Sequence, residues 1–484
     1  MPVSAPNTPA PHNPIKWNDE LIRRYDLAGP RYTSYPTAPQ FREGFTQAEL
    51  GAAINRSNAS GRPLSLYVHI PFCDTVCYYC ACNKIITANK KRAAPYLERL
   101  HRELVMQAPN FDGDRLVQQL HWGGGTPTYI SDEEKRQLMQ AIGQHFNLLD
   151  DDSGEYSIEI HPGGLGPDTI TLLRELGFNR VSMGIQDFDP KVQKAVNRFN
   201  SVEEVTTLVE ACRREGFHSI SMDLIYGLPH QSQQTIAATL EQVIELSPDR
   251  LSLFNYAHLP HLFKTQRQID ASALPEPQEK LQILHYAIDR LCEAGYVYIG
   301  MDHFAKPDDA LTIAQQNGEL QRNFQGYATH GNCDLVAFGV SAISAIDNVF
   351  VQNHKAIEDY QQAIDSGQLP LSRGFSLSAD DQLRQWVINR LICHFQLDFK
   401  AIEREFGIDF AQYFAPELAA IGEMAGDGLL SLDSNSLKVS DQGRLLIRRI
   451  CMVFDAYLNK APTAGKAMAA ESSSKPEIRY SRII

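Results

Sequence analysis

Aliphatic and polar residues alternate along the chain from Leu64 to Ile70, with Tyr67 in the polar set. This alternation predicts a half-buried β-strand. The same pattern predicts strands over 117–122, 155–161, 180–186, 219–225, 250–256 and 296–300. Helical periodicity lies between most of these strands, as in the helix that Pro95 opens. Alternating strands and helices indicate a parallel sheet with helical crossovers, so we expect an α/β barrel or part of one.

Polar side chains recur near the carboxyl ends of the predicted strands. Glu159 and His161 lie on the face opposite the aliphatic residues of their strand, and Gln186 and Asp223 do the same on the next two strands. Tyr67 adds a polar group on the first strand. Active sites of α/β barrels lie at the carboxyl ends of the strands. The sequence therefore predicts a polar cavity there.

The two ends of the chain differ from this pattern. Residues 1–20 resemble a loose arm, and Gly and Pro residues interrupt the segment that follows. After about residue 375 the predicted elements are helices at 378–397, 399–406, 410–426 and 441–458, with a strand–turn segment at 429–439. We expect an arm and irregular segment over 1–50, the barrel domain over 51–370, a mostly helical domain over 371–460 and a flexible tail over 461–484.

Composition excludes several classes of protein. The 484 residues carry a net charge of −13, which argues against a general nucleic-acid-binding protein. The sequence has no apolar run long enough for a membrane span, and Met1 to Pro14 does not resemble a secretory signal. We therefore expect a cytoplasmic protein whose nine cysteines are thiols or metal ligands.

Cys73, Cys77, Cys80 and Cys82 are crowded together directly after the first predicted strand. Four thiolates could hold a structural zinc ion, but zinc ribbons normally use two separated cysteine pairs and no second pair exists here. The alternative is a 4Fe–4S cluster held by three cysteines, which leaves one iron open to a ligand. The spacing C-x3-C-x2-C is typical of the radical S-adenosylmethionine (SAM) superfamily. The glycine-rich stretch 123–128 then resembles the SAM-binding element of these proteins.

From Arg23 to Ile484, the chain resembles the oxygen-independent coproporphyrinogen III oxidases, which are radical SAM enzymes of haem biosynthesis. The fourth cysteine, Cys82, is typical of that family, whereas the related haem-chaperone-like branch usually has Phe there. The resemblance implies a partial (β/α) barrel of the TIM type with an N-terminal arm and a mostly helical C-terminal domain. It also implies conversion of coproporphyrinogen III to protoporphyrinogen IX by a 5′-deoxyadenosyl radical. The alternatives are a haem-binding or haem-delivery protein on the same scaffold and another radical SAM reaction on a tetrapyrrole.

The resemblance also implies a set of site residues and partners. Cys73, Cys77 and Cys80 would ligate the cluster, and Tyr67 and Glu159 would have catalytic roles. The family holds two SAM molecules. The positions that match the surroundings of the cluster-bound SAM are Tyr67, Gly124, Glu159 and Ile343. Those that match the surroundings of the second SAM are Tyr79, Gly125, Thr126, Gln186, Arg198, Asp223 and Ala257. We expect a monomer that acts on a tetrapyrrole with an unidentified electron donor and acceptor, and Arg31 is a candidate partner for a substrate propionate.

The third predicted strand ends with one departure from the family pattern. Family members usually have Glu-x-Asp-Pro-Arg there, and this chain has Glu159, His161 and Gly163 at the corresponding acid, acid and arginine positions. A carboxylate–arginine pair can organise a ligand through strong hydrogen bonds, and a single histidine cannot replace it. We expect this departure to affect turnover or substrate choice before it affects the fold or the cofactors.

Overall fold

A computed structural model describes residues 15–458. The strands are β1 (Arg42–Glu43), β2 (Leu64–Ile70), β3 (Phe72–Cys73), β4 (Ile85–Ile86), β5 (Leu116–Gly124), β6 (Asn147–Leu148), β7 (Glu155–Ile160), β8 (Arg180–Gln186), β9 (Ser219–Tyr226), β10 (Arg250–Asn255), β11 (Val297–Gly300), β12 (His303–Ala305), β13 (Gln321–Asn323), β14 (Gly326–Ala328), β15 (Asp334–Phe338), β16 (Ile343–Ile346), β17 (Val349–Asn353), β18 (Leu371–Ser376), β19 (Gln396–Asp398), β20 (Leu430–Leu432) and β21 (Ser436–Val439).

The helices alternate with the strands of the first half and dominate the region after β18. They are α1 (Asp19–Tyr25), α2 (Gln47–Ser60), α3 (Ala94–Gln107), α4 (Asp132–His145), α5 (Pro167–Glu175), α6 (Pro190–Val196), α7 (Val202–Arg214), α8 (Gln233–Leu246), α9 (Pro277–Glu293), α10 (Ala310–Asn317), α11 (Ile357–Asp365), α12 (Ala379–His394), α13 (Phe399–Phe406), α14 (Phe410–Tyr413), α15 (Ala415–Gly426) and α16 (Ile447–Val453). Within residues 15–458, no helix is both long and apolar enough to cross a membrane.

A parallel sheet forms the centre of the molecule, as predicted. Strands β2, β5, β7, β8, β9 and β10 pair in parallel in that order, and β15 pairs in parallel with the other side of β2. The aliphatic faces of these strands bury a continuous core in which Trp122 is fully buried and meets Phe178 edge-on at 5.0 Å. Burial of such large apolar side chains is the main favourable contribution to the stability of the sheet.

The last strand predicted for the parallel sheet pairs antiparallel instead. The segment predicted at 296–300 forms β11, which pairs antiparallel with β12, and β12 lies between β11 and β10. The connection from β11 to β12 is only two residues long, too short for the crossover that parallel pairing needs. The seventh parallel strand is instead β15, at the other side of β2.

The sheet continues beyond β15 through strands that the sequence analysis did not predict. Strands β15, β16, β17, β18 and β1 pair antiparallel in that order. The complete order therefore runs from β1 to β11 as an open series, in which these two strands lie at opposite ends. This arrangement is a partial barrel.

The terminal regions correct several predictions. Asn18 caps helix α1, so the predicted loose arm ends before residue 20, and residues 1–14 lie outside the described part. The predicted helix 378–397 ends at His394, because Phe395 adopts a left-handed conformation (φ 59°) and residues 396–398 form β19. Helix 410–426 is divided at Phe414, where Pro416 requires a new first turn.

The predicted helix 441–458 is shorter than expected, because only Ile447–Val453 is helical. Residues 441–446 form turns, with hydrogen bonds from Gly443 and Arg444 to the Ser440 carbonyl, and Gly443 leaves room there for the Leu429 carbonyl. The predicted tail 461–484 lies outside the described residues. The domain boundaries themselves stay predictions.

Candidate active site

The cysteine loop begins directly after β2, where β3 brings Cys73 to the carboxyl end of the sheet. The Thr126 hydroxyl lies 3.6 Å from Cys73 Sγ, and Arg198 Nη1 lies 3.7 Å from Cys77 Sγ. A hydrogen bond from the Cys82 thiol lowers the pKa of Cys80 to about 6, against the effect of burial. Burial raises the pKa of Cys73 to about 11. All nine cysteines are free thiols, and the four in this loop lie together at the open end of the sheet.

The glycine-rich loop after β5 packs directly on the cysteine loop. A Cβ on Gly125 would lie 2.7 Å from the carbonyl oxygens of Pro71 and Phe72, and the Gly125 N–H donates to Ile70 O at 2.8 Å. Gly124 has φ +118°, and a Cβ there would lie 2.7 Å from the ring of His69. Only glycine combines this backbone conformation with this close approach. The local structure therefore explains the run of glycines by contact between the two loops.

Glu159 joins β7 to this loop through a hydrogen-bond network. His121 Nε2 donates to Glu159 Oε1 at 3.2 Å, and the Gly124 N–H donates to Glu159 Oε2 at 3.2 Å. Ser157 lies 2.5 Å from His121 Nδ1. Burial would raise the pKa of Glu159, but the hydrogen bond and charge of His121 outweigh it and lower the pKa. Glu159 is therefore held as a carboxylate.

Tyr67 supports this network from β2. Its ring stacks on His121 with centroids 5.8 Å apart, and its hydroxyl lies 3.0 Å from His69 Nδ1. His69 Nε2 donates to the Asn83 carbonyl at 3.0 Å, and burial lowers the pKa of His69. Because His69 is neutral with its proton on Nε2, Nδ1 accepts a hydrogen bond from the Tyr67 hydroxyl. Tyr67 thus links the first strand to the cysteine loop through Asn83.

A second set of polar side chains lies on β8, on β9 and on the segment that follows α6. Ser182 donates to Asp223 at 3.2 Å, and burial raises the pKa of Asp223 to about 6. Arg198 Nη2 donates to the Gly184 carbonyl at 2.7 Å. Gln186 has φ +70°, a backbone conformation that residues other than glycine rarely adopt. Strain of this kind is concentrated at functional sites, where the surrounding structure maintains it.

These side chains face one cavity of about 260 Å³ at the carboxyl ends of β2, β5, β7, β8 and β9. The predicted site residues on its wall are Cys73, Cys77, Tyr79, Cys80, Gly124, Gly125, Thr126, Glu159, Gln186, Arg198 and Asp223. His161, Ser182 and Lys84 also line it. The polar cavity predicted from strand alternation is therefore present.

Four predicted residues do not line this cavity. Arg31, the candidate propionate partner, pairs with Asp302 at 3.1 Å. Tyr67 lies behind it, on the His69 and His121 rings. Ala257 lies in the segment that follows β10, and Ile343 packs in a separate apolar cluster on β16. The sequence analysis also missed His69 and His121. Both are on the polar side of their strands, so the alternation that identified Tyr67 could have found them.

The departure at His161 changes the loop after β7. Burial, and then the charge of Arg198, lower the pKa of His161 to about 3, so its ring is neutral. Its Nε2 is buried without a hydrogen-bond partner in the described structure. A Cβ on Gly163 would lie 2.6 Å from the Phe199 carbonyl oxygen. This backbone leaves no room for an arginine at 163 unless the loop moves.

The cavity fits a thiolate-bound cluster and a polar nucleoside ligand. Soft thiol donors on one loop are the ligand type that iron–sulfur clusters use. Gln186 Oε1 and Arg198 Nε are buried without partners in the described residues, and buried polar groups normally have partners. Gly124 and Gly125 line the cavity beside them, so their backbone groups are near a bound ligand.

Comparison with protein families first defines the class. Residues 67–243 match the radical SAM superfamily, and residues 377–446 match the HemN C-terminal domain. The solved coproporphyrinogen III oxidase HemN from Escherichia coli, described as a radical SAM enzyme, superposes with a TM-score of 0.88 at 48% identity, covering 92% of this chain and 100% of that one. The fold is thus that of a radical SAM protein.

Curated relatives then define the family. The oxygen-independent coproporphyrinogen III oxidase of Pseudomonas aeruginosa is 56% identical over 444 residues, which are 92% of this chain and 96% of the relative. The Escherichia coli enzyme of the same name is 49% identical over 446 residues, with the same coverage. The chain belongs to the oxygen-independent coproporphyrinogen III oxidase family. Membership implies a 4Fe–4S cluster and SAM as cofactors.

Proposed function

We propose that the chain converts coproporphyrinogen III to protoporphyrinogen IX by oxygen-independent oxidative decarboxylation of two propionates to vinyl groups, in haem biosynthesis. The observation that carries this proposal is a single cavity shared by the cysteine loop, the glycine-rich loop and the polar ends of β7, β8 and β9. The identity to relatives of that activity, over nearly their whole length, supports it.

Cys73, Cys77 and Cys80 would hold the cluster, and Cys82 would stay outside its ligand set. When bound, the cluster and SAM supply a 5′-deoxyadenosyl radical that removes a hydrogen atom from the substrate. The chain's own residues fix the geometry for this chemistry. The hydrogen bonds of Gly125 and Thr126 to the backbone of residues 70–72 hold the cysteine and glycine-rich loops at one separation. Such fixed positioning is a main source of enzymatic rate enhancement.

Glu159 would present a fixed carboxylate to the cluster-bound SAM. His121 donates to one oxygen of this carboxylate and Gly124 donates to the other, so the remaining lone pairs of both oxygens face the cavity. Tyr67 would act through His121 and His69 as a positioning residue, because it lies behind the wall. Ile343 packs in the apolar cluster on β16 outside the cavity, so it would reach this SAM only from the side of that cluster.

A second SAM molecule would bind in the part of the cavity formed by β8 and β9. Arg198 and Gln186 there retain buried polar atoms without partners, and Asp223 provides an acidic group. Tyr79, Thr126 and Ala257 would complete this part of the site. The electron donor and acceptor are unidentified. A monomeric state and a cytoplasmic location stay predictions from the sequence.

The test is an anaerobic assay of the reconstituted protein with SAM, a reductant and coproporphyrinogen III. Mass spectrometry should show 5′-deoxyadenosine and a tetrapyrrole that has lost two carboxyl groups. Cys80→Ser should lose iron and both products, whereas Cys333→Ser, which changes a thiol outside the loop, should keep them. Formation of 5′-deoxyadenosine without decarboxylation would refute the assigned substrate. Equal iron content in Cys80→Ser and wild type would refute the assigned cluster ligands.

A further inference from the structure

The antiparallel strands β16, β17 and β18 present one sheet face toward the apolar cluster that contains Ile343. Ile343 is in register with Gln352, and Gln352 is in register with Arg373. Residues in register on neighbouring strands point to the same side of a sheet. A row therefore runs across three strands from Ile343 to Arg373. We call this surface the outer-strand face.

The end of strand β17, which forms part of this face, is connected to the cysteine loop. Asn83, next to Cys82, accepts a hydrogen bond from His69 on its carbonyl and donates from Nδ2 to the Lys355 carbonyl at 3.0 Å. Lys355 follows β17 by two residues, so the end of that strand is tied to the loop that would hold the cluster. The strand that carries Gln352 is thus anchored to the cysteine loop at this end.

Aromatic rings cover the middle of the outer-strand face. Phe41 stacks on Phe350 with centroids 5.6 Å apart, and Phe324 meets Phe350 edge-on at 5.4 Å. Phe324 and Ile343 are only half-buried, so they offer apolar surface to a ligand. Flat aromatic and aliphatic groups of this kind suit the pyrrole rings of a macrocycle.

Arg373 adds a positive charge to the row, and Glu43 is in register with it on the edge strand β1. Its Nε donates to Gln352 Oε1 at 2.7 Å, and its guanidinium lies over the Phe41 ring at 5.7 Å from the centroid. Within residues 15–458 its Nη groups make no hydrogen bond, and Glu43, opposite it on β1, does not come within 4.0 Å of them. Gln352 thus fixes the guanidinium and leaves its outer edge available.

The charges around Arg373 favour an added anion. Burial lowers the pKa of Arg373, and the negative charge of Glu43 partly offsets this shift. Burial and then the charge of Arg373 lower the pKa of Lys355. Two cations therefore share this edge with one acidic neighbour, Glu43. An anionic group placed between them would relieve their mutual repulsion.

We propose that Arg373, held by Gln352, binds a propionate carboxylate of the tetrapyrrole while the macrocycle lies against Phe324 and Ile343. The inference rests on the proposed function, because it takes the tetrapyrrole as the ligand. A guanidinium edge binds a carboxylate through two parallel hydrogen bonds. A substrate with four carboxylates needs such partners for the propionates that are not reacting, and they fix which propionate reaches the cluster. Arg373 is therefore a specificity-determining residue.

The test compares the binding of coproporphyrin III, a stable tetracarboxylate, with that of its neutral tetramethyl ester, followed by fluorescence quenching. Arg373→Gln should weaken binding of the free acid about 10- to 100-fold, the range expected for hydrogen bonds to a charged group. Binding of the ester should change less than twofold. The matched control Arg56→Gln removes an arginine that pairs with Asp347 at the turn between β16 and β17, and it should bind both ligands like wild type.

Three outcomes decide the proposal. Selective weakening of the free acid by Arg373→Gln supports it. Equal weakening of acid and ester would show that the aromatic face has collapsed and would overturn it, as would unchanged binding of the acid. A wild-type protein that binds coproporphyrin III through Arg373 but does not decarboxylate coproporphyrinogen III would refute the proposed function and retain this site.

Discussion

Replacing Gly125 by alanine tests whether contact between the two loops builds the site. A methyl group there would lie 2.7 Å from backbone oxygens of Pro71 and Phe72, against the 3.4–4 Å of ordinary contact. The loops must therefore separate by about 0.7 Å, and two hydrogen bonds of 2.8 Å, Gly125 N–H to Ile70 and Thr126 N–H to Phe72, lengthen to about 3.5 Å.

The cost can be estimated from these two effects. Overpacking costs about 1–3 kcal/mol, and each weakened hydrogen bond about 0.5–1.5 kcal/mol. The sum is about 2–6 kcal/mol, because both bonds are affected. If SAM binding must restore the original spacing, the affinity falls by at least about 30-fold.

Anaerobic equilibrium binding of SAM to the reconstituted protein measures this loss, together with iron content and the thermal midpoint. Gly422→Ala is the matched control, because Gly422 lies on an exposed helix with no atom within 4 Å of the added methyl group. It should bind SAM like wild type and be slightly more stable, since alanine favours a helix over glycine. A Gly125→Ala protein with SAM affinity within threefold of wild type and an unchanged thermal midpoint would refute the reasoning.

Three further predictions follow from buried groups and close contacts. Because the pKa of Asp223 is about 6, SAM that requires its carboxylate should bind about fourfold more weakly at pH 5.5 than at pH 7.5, and Asp223→Asn should abolish this pH dependence in equilibrium binding. Burial raises the folded-state pKa of Glu103 to about 7, above its unfolded value. Its stabilising contribution is therefore fully present at low pH and is lost as the pH rises through 7, so Glu103→Gln should flatten the decline of the thermal midpoint between pH 5 and 7.5; parallel curves would contradict this. Gly163→Ala should lower decarboxylation at least tenfold, because the methyl group meets the Phe199 carbonyl beside Arg198; full activity would show that this loop adapts freely.

Strands β2, β7, β8 and β9 could be predicted closely because each has one apolar side. The boundaries at Leu64–Ile70 and Arg180–Gln186 match the structure to the residue. Alternation also identified Glu159 and Asp223, since a polar residue opposite a buried aliphatic set faces the interior of the barrel mouth. The pattern carries this information because burial on one face repeats every second residue.

Other elements depend on partners that are distant in the sequence. Strands β16 and β17 form a short hairpin in which β16 has only four residues and β17 is buried on both sides, so neither gives a strong alternating pattern. The position of Ile343 away from the main cavity follows from the pairing of β16 with β15, which the local sequence does not specify. Likewise, Gly443 in the turns at 441–446 lies against Leu429, a contact that periodicity cannot show.

The open order of the sheet has a consequence for how substrates of different size could be accommodated. A closed barrel of eight strands has an interior filled by its own side chains. Here β1 and β11 lie at opposite ends of the series, so the width of the mouth is not fixed by hydrogen bonding around a ring. The segments over this opening include the hairpin of β13 and β14. They form a frame whose residues can change while the residues that carry the chemistry stay the same. Selection could vary the frame to admit another macrocycle without altering a residue of the cysteine loop.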